Sequence, residues 1–435
     1  MGVWNVLTQL VEQTEPISAQ GRVSKIVGLM VEAAGPRVSV GAYCHIVTRA
    51  GRELPAEVVG FRDFTTLLMP LGELEGIAPG DRVVPQSQKL TVAVGPGLLG
   101  RILDGLGHPM DELPLQTETV YPLQNSPPNA LLRPRIRDVL SVGVRTIDGI
   151  LTIGRGQRMG IFAGSGVGKS TLLGMMARNT VAEVNVIALV GERGRELRDF
   201  IEKDLGPEGL ARSVIIVATS DQPALVRLKA ALTATAIAEY FRDQGKNVLL
   251  MMDSVTRFAM AQREVGLTVG EPPATRGYPP SVFALLPKLL ERSGMAEKGS
   301  ITGIYTVLVD GDDHNEPIAD AVRGILDGHI VLTRELAMQN QFPAIDILQS
   351  VSRVMNDVVS SEHKKRAGEL RGHLAIYRDA KDLIDIGAYA PGSNSKIDAA
   401  VLHMDRILAF VRQGVDERVG FEETLKRLEG IGTVS

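Results

Sequence analysis

The sequence predicts an α/β protein in three parts: a small N-terminal β-barrel, a phosphate-loop core with a mainly parallel sheet, and a C-terminal helical bundle. Three observations carry this. Short β-branched runs recur between turns from Gly21 to about Val92. Apolar strands then alternate with helical patterns through roughly 93–350, and beyond Ser350 only helical spacing remains. Between the strand Gly160-Ile161-Phe162 and the helical run Thr171–Met176, the chain reads Ala163-Gly-Ser-Gly-Val-Gly-Lys-Ser-Thr171.

Composition narrows the class. A chain of 435 residues with net charge −4 carries no overall basic field that would favour nucleic acid. The single cysteine, Cys44, cannot form an internal disulfide, and Cys44-His45 falls short of a zinc set. No apolar run approaches the ~18–20 residues that span a bilayer, and no secretory leader pattern is recognisable, so the expectation is a cytoplasmic protein.

The elements follow in order. Residues 1–20 form an N-terminal segment in which Trp4, Leu7, Leu10 and Val11 share one helical face, as a partner-docking helix or a small lid would. Residues 21–92 carry expected strands Ser24–Glu32, Tyr43–Thr48, Glu53–Phe61, Thr65–Pro70 and Arg82–Val84, spaced as in a small barrel. Few aromatics interleave with Lys and Arg there, which favours a structural barrel over an RNA-binding one. Residues 93–350 form the core, reached through a Pro-rich approach at 126–135. Its expected strands are Arg158–Phe162, Val184–Val190, Val214–Ala218, Val248–Met252, Ile301–Val309 and His329–Leu332. Residues 351–435 form the helical domain, whose last helix carries Phe421, Leu425 and Leu428 and is expected to close at Gly430.

The glycine loop supplies backbone N–H groups and one ammonium to a chain of phosphates, so the site is a nucleotide site. Its members are Gly164, Ser165, Gly166, Val167, Gly168, Lys169, Ser170 and Thr171. The dinucleotide pattern Gly-x-Gly-x-x-Gly is not met, because Lys169 stands where its last glycine would fall. The loop also departs from Gly-x-x-x-x-Gly-Lys-Ser/Thr, with Ala163 in the first glycine's place. A methyl is tolerated there if φ stays negative.

Two strand-end carboxylates complete the chemistry. Asp253 ends the strand Val248–Met252, where it can hold the water shell of Mg2+ together with Ser170. Glu192 follows Val184–Val190 and can orient an attacking water; Glu196, one turn on, competes for that role, and spacing does not choose between them. The acidic stretch Asp310–Glu316 reads as a solvated strand-end loop in preference to a metal site, with Pro317 starting a helix.

Taken together, Phe162–Thr171, Gly191–Glu196, Leu249–Arg257, Gly270–Pro287 and Pro343–Arg353 resemble the export ATPases of type III secretion, flagellar and injectisome proteins related to the catalytic subunit of rotary ATP synthases. The resemblance runs from the barrel to the helical tail and implies a RecA-like core binding ATP or ADP with Mg2+. It implies that Glu192 polarises water, that Lys169, Ser170 and Asp253 serve phosphate and Mg2+, and that Arg193 and Arg257 contact the γ-phosphate. It further implies that Phe342 stacks on adenine with Tyr389 beside the base, and that Arg353 is an arginine finger reaching a neighbouring subunit's nucleotide. As partners it implies a homo-hexameric ring, a stator-like regulator docked on the N-terminal segment, a central stalk protein, the export gate and chaperone–cargo complexes, with no nucleic acid. The membrane is met only peripherally, through the export apparatus at the inner membrane. Gly270–Tyr278 and Asp327–Leu332 look flagellar in type. A non-hydrolysing or synthase-type ring subunit and a ring RNA helicase are the competing classes; the presence of Glu192 opposes the non-hydrolysing subunit.

Overall fold

The computed structural model describes residues 20–86, 89–309 and 316–432. The helix expected near residues 3–13 and most of the acidic stretch at 310–315 lie outside the described residues. Glu316 is described, and it caps the helix Pro317–Ile325 by accepting hydrogen bonds from Ile318 N (3.1 Å) and Ala319 N (3.0 Å). Among the described residues no helix is long and apolar enough to cross a membrane.

Strands β1 (Gly21–Val27), β2 (Met30–Ala34), β3 (Tyr43–Val47), β4 (Glu53–Arg62), β5 (Thr65–Pro70) and β6 (Arg82–Pro85) close into a barrel in the order β1-β2-β5-β4-β3-β6. Alternation fills it: Cys44 and Ile46 of β3 and Leu54, Ala56 and Val58 of β4 all point inward. The single strand expected over Ser24–Glu32 is two strands in the structure. Gly28 turns the chain between them at φ +58°, a conformation that side-chain-bearing residues seldom adopt.

Beyond the short pair β7 (Thr91–Val94) and β9 (Thr119–Pro122) lies the main sheet. Its strands are β8 (Ile102–Asp104), β10 (Arg158–Ala163), β11 (Val184–Val190), β12 (Ser213–Ala218), β13 (Asn247–Asp253), β15 (Ser300–Leu308), β16 (Gly328–Leu332) and β17 (Ile345–Ser352), with β14 (Gly294–Met295) hairpinned onto β15. The order is β17-β16-β10-β15-β13-β11-β12-β8, parallel throughout except for the antiparallel edge β17. Successive residues feed opposite cores. Val186, Ala188 and Val190 join one layer with the helix Ala224–Asp243, while Ile187 and Leu189 join the other beneath the helix Lys169–Asn179. Burial on both faces explains why these strands read as continuous apolar runs.

β8 and β17 stand outside the strands that the sequence predicts, and β17 runs to Ser352, past the point at which helical spacing alone was expected. Helices Ser361–Asp385, Ser395–Val411 and Phe421–Gly432 pack through Leu370, Ile407, Phe410 and Leu428 onto Ile150 and Ile347 of the core. Each such side chain, once buried, contributes about 1.5–3 kcal/mol. The last helix does not close at Gly430. It continues through that residue to Gly432, because Gly430 keeps a negative φ and so makes no left-handed cap.

Candidate functional site

The glycine loop bridges β10 and the helix Lys169–Asn179 at the carboxyl end of the sheet, on the wall of a cleft of about 680 Å3. Gly166 and Gly168 take φ of +78° and +89°, and this reversal turns successive N–H groups toward one point. Val167 sends its side chain into the core below, so only its backbone is available to the cleft. Ala163 is the last residue of β10, pairs with Leu308 and Leu332, and keeps a negative φ; its methyl is buried without strain. Ser170 is exposed on the cleft wall, whereas the Thr171 hydroxyl is hydrogen-bonded to Asp204.

Lys169 begins the helix and reaches across β15, which lies between β10 and β13. Its Nζ stands 2.5 Å from Asp253 Oδ1 and 3.6 Å from Glu192 Oε1. From β15 the Thr306 hydroxyl donates to the same Asp253 oxygen at 2.6 Å. Burial alone would lower the Lys169 ammonium, but the charges of Asp253 and Glu192 and their hydrogen bonds outweigh it, so its pKa lies above the usual lysine value. Glu192 is pushed up to about 7, first by burial and then by Asp253 and by the hydrogen bond and charge of Glu196, with Lys169 opposing. That value places one carboxyl near neutrality at the head of the cleft. Geometry also separates the two glutamates. Glu192 belongs to the Lys169 ion cluster, while Glu196 is half exposed and paired with Arg193 at 3.7 Å.

Arg257 lies in the first turn of the helix Val255–Val269, its N–H capped by Ser254 Oγ at 3.2 Å. Its Cβ and Cγ lie 3.0 and 3.1 Å from where a side chain on Gly191 would begin, so Gly191 leaves room for the arginine to enter the cleft. Arg193 lines the same cleft but is exposed. The Phe342 ring flanks the loop, 3.7 Å from where a Cβ on Gly168 would stand, and is 40% exposed; it does not itself line the cleft.

Two predicted site residues lie elsewhere. Tyr389 is not among the cleft residues; its hydroxyl bonds Asn394 O (3.0 Å) and Asp398 Oδ1 (2.9 Å) within the turn between two C-terminal helices. Arg353 follows β17, which runs antiparallel: Ile345 pairs with Leu332 at the loop end of the sheet, and Ser352 pairs with Gly328 at the opposite end. Eight strand residues set Arg353 roughly 25 Å from its own phosphate loop. It is exposed there, with Nη1 bonded to Leu326 O at 3.3 Å. The structure adds Ser220, Thr306 and Leu308 to the neighbourhood. Ser220, whose N–H donates to Glu192 O at 3.1 Å, follows β12 and could have been found by the strand-end rule; nothing local to Thr306 signals its bond to Asp253.

A parallel sheet that carries a phosphate loop, a lysine between two strand-end carboxylates and an arginine entering from the next helix defines a P-loop nucleoside triphosphatase. Residues 23–86 match the ATP synthase alpha/beta family beta-barrel domain, 143–352 the nucleotide-binding domain of that family, and 359–430 the T3SS EscN ATPase C-terminal domain. The flagellum-specific ATP synthase of Bacillus subtilis is 56% identical over 429 residues, covering 98% of both chains. The type 3 secretion system ATPase of Xanthomonas euvesicatoria is 53% identical, covering 94% of this chain and 93% of that one. The assembled ATPase EscN from the type III secretion system of enteropathogenic E. coli superposes with a TM-score of 0.90 at 48% identity, over 94% of this chain and 99% of that chain. The chain belongs to the ATP synthase alpha/beta family and is an ATPase of its type III secretion and flagellar export branch.

Proposed function

We propose that the chain hydrolyses ATP with Mg2+ as one subunit of a hexameric ring, and that the ring drives flagellar protein export by releasing chaperones from cargo and unfolding it. The observation that carries the catalytic part is the bridge of Lys169 between Asp253 and Glu192 at the mouth of the glycine loop. In the free protein the ammonium rests on two carboxylates; phosphate oxygens arriving at the loop compete for it and draw it to the β- and γ-phosphates.

The Gly164–Gly168 N–H groups cradle the phosphates, and Arg257 and Arg193 meet the terminal one. Glu192 accepts a hydrogen bond from the attacking water and aligns it. Phe342 stacks on the base. Ser170 and Asp253 offer a hydroxyl and a carboxylate, the hard oxygen donors that Mg2+ prefers alongside water and phosphate. Among the described residues no cluster of three or more His, Cys, Asp or Glu side chains is arranged for a metal, which suits an ion held largely by water and phosphate. Bound there, Mg2+ supplies charge neutralisation on the phosphate chain. Arg353, at the far end of the sheet, completes the site of a neighbouring subunit.

The E. coli relative is also solved with its central stalk EscO, and the equivalent partner here is a central stalk protein. A stator-like regulator, the export gate and chaperone–cargo complexes complete the assembly, with the ring in the cytoplasm beside the inner membrane. Two measurements test this. Glu192→Gln is expected to bind ATP and lose turnover, and the specific activity of the parent protein is expected to rise with concentration as rings form. Full turnover in Glu192→Gln removes the mechanism, and recovery of injectisome proteins alone from a native extract removes the flagellar assignment.

A further inference from the structure

Gln413 lies in the turn after the helix Ser395–Val411, far in sequence from the glycine loop, and is 4% exposed. Its amide is fully hydrogen-bonded, with two of the three bonds crossing to the core and the third staying within the C-terminal domain. Oε1 accepts from Arg145 N at 2.8 Å, and Nε2 donates to Gly143 O at 2.9 Å and to Glu417 O at 2.9 Å. Its backbone N–H donates to Phe342 O at 2.9 Å. One residue of the C-terminal domain therefore grips the start of the core at 143–145 with its side chain and the peptide of Phe342 with its backbone. The grip is itself braced: Asp148 accepts from Val142 N (2.9 Å) and Gly143 N (3.0 Å), fixing the turn that Gln413 holds.

From this geometry we infer that Gln413 is a positioning residue that sets the distance between Phe342 and the glycine loop, and so the affinity for the purine base of the substrate. Phe342 is exposed beside Gly168, in the non-helical segment that precedes β17, between buried Gln341 and Pro343. The Gln413 N–H ties the Phe342 peptide to the C-terminal domain, and the Gln413 amide ties that tether to the core. A shift of the C-terminal helices would move the tether and with it the ring of Phe342, leaving Lys169, Asp253 and Glu192 where they are. Base affinity is in this way coupled to the position of the C-terminal helical domain. The inference rests on the proposed role of Phe342 at the base.

The test compares ATP with inorganic tripolyphosphate, which has the phosphate chain and no base, as ligands of the full-length chain. Gln413→Ala is expected to weaken ATP binding by roughly tenfold, the scale of losing buried hydrogen bonds, and to leave tripolyphosphate binding unchanged. A merely structural defect would weaken both. In a double-variant cycle, Gln413→Ala added to Phe342→Ala is expected to cost nothing further for ATP, since the first residue acts through the second. If Gln413→Ala fails to fold, Gln413→Met, of similar length and without the amide, carries the same comparison. Equal weakening of ATP and tripolyphosphate, unchanged ATP affinity, or additive losses in the cycle would each overturn the inference while leaving Phe342 in place. Loss of no ATP affinity in Phe342→Ala would overturn the base-stacking role, and this inference with it.

Discussion

Lys169 Nζ and Asp253 Oδ1 stand 2.5 Å apart across strand β15, and Thr306 of that strand donates to the same carboxylate oxygen at 2.6 Å. This pair is nearly dry, and removing one partner strands a buried charge. Lys169→Met is expected to abolish ATPase activity and also to destabilise the nucleotide-free protein by about 3 kcal/mol. Urea unfolding at pH 7 measures the second effect. Combining Lys169→Met with Asp253→Leu should cost less than the sum of the two singles, because the uncompensated charge is gone; additive losses would show that the pair is not coupled.

Glu192 titrates near 7, where the ordinary glutamate value is 4.5. Water alignment needs the ionised carboxylate, so turnover at saturating ATP is expected to fall as pH drops through about 7, and the residual activity of Glu192→Gln to be flat over that range. Stability moves the other way. A carboxyl with a raised folded-state pKa favours the fold while neutral: that contribution is full below about pH 4.5 and is lost as pH rises through 7. At pH 8 Glu192→Gln should therefore be more stable than the parent, by on the order of 1 kcal/mol once solvent screening at this partly open site is allowed for. Near pH 4 the two should unfold together; a gap that persists there would refute the assignment of the titration to Glu192.

The parts of the site that declare themselves locally were legible in the sequence. A glycine run, a lysine and two carboxylates at the ends of apolar strands are positions along one chain, and the rule that ligands meet the carboxyl ends of parallel strands gathers them. Strands buried on both faces were legible for the same reason: Val184–Val190 is apolar throughout. What depends on sheet order or direction was not. Thr306 meets Asp253 only because β15 lies between β10 and β13. β17 hides its alternation in small polar residues, Gln349, Ser350 and Ser352, and its reversed direction alone sends Arg353 away from the cleft. Gln413 carries no motif at all; its role comes from three hydrogen bonds to residues remote in sequence, Arg145, Gly143 and Phe342. Gly28 and Gly430 show the limit of residue identity: the first turns the chain in mid-run and the second continues a helix, and only φ distinguishes them.

Arg353 cannot serve the cleft of its own chain, so its loss should be complemented in trans. Arg353→Ala alone and Glu192→Gln alone are each expected to lose turnover, on the order of 10³-fold for an arginine that stabilises phosphoryl transfer. Mixed under ring-forming conditions, the two variants bring together interfaces in which an intact Glu192 cleft faces an intact Arg353. Activity should then reappear and pass through a maximum near equal proportions. A mixture no more active than its components would place Arg353 outside the reaction.

Away from the cleft, the buried pair Arg292–Glu239 fixes the back of the core. Arg292 meets Glu239 through two bonds, Nε to Oε1 at 2.9 Å and Nη2 to Oε2 at 2.8 Å, and donates through Nη1 to Leu123 O at 2.7 Å. Asn125 Nδ2 adds a fourth bond, to Glu239 Oε2 at 3.1 Å. The helix Ala224–Asp243, the end of the helix Pro280–Leu290 and the segment entering from β9 are thus joined at one point, with the Arg292 and Glu239 side chains almost wholly out of water. Arg292→Met is expected to cost about 3–5 kcal/mol in urea unfolding, because it leaves Glu239 charged and buried. Arg292→Met with Glu239→Leu should recover much of that loss, held back by the unpaired Leu123 carbonyl and Asn125 amide. Recovery beyond the parent's stability would mean that the pair serves specificity more than strength, and a double variant as weak as the sum of its singles would mean that the four bonds act independently.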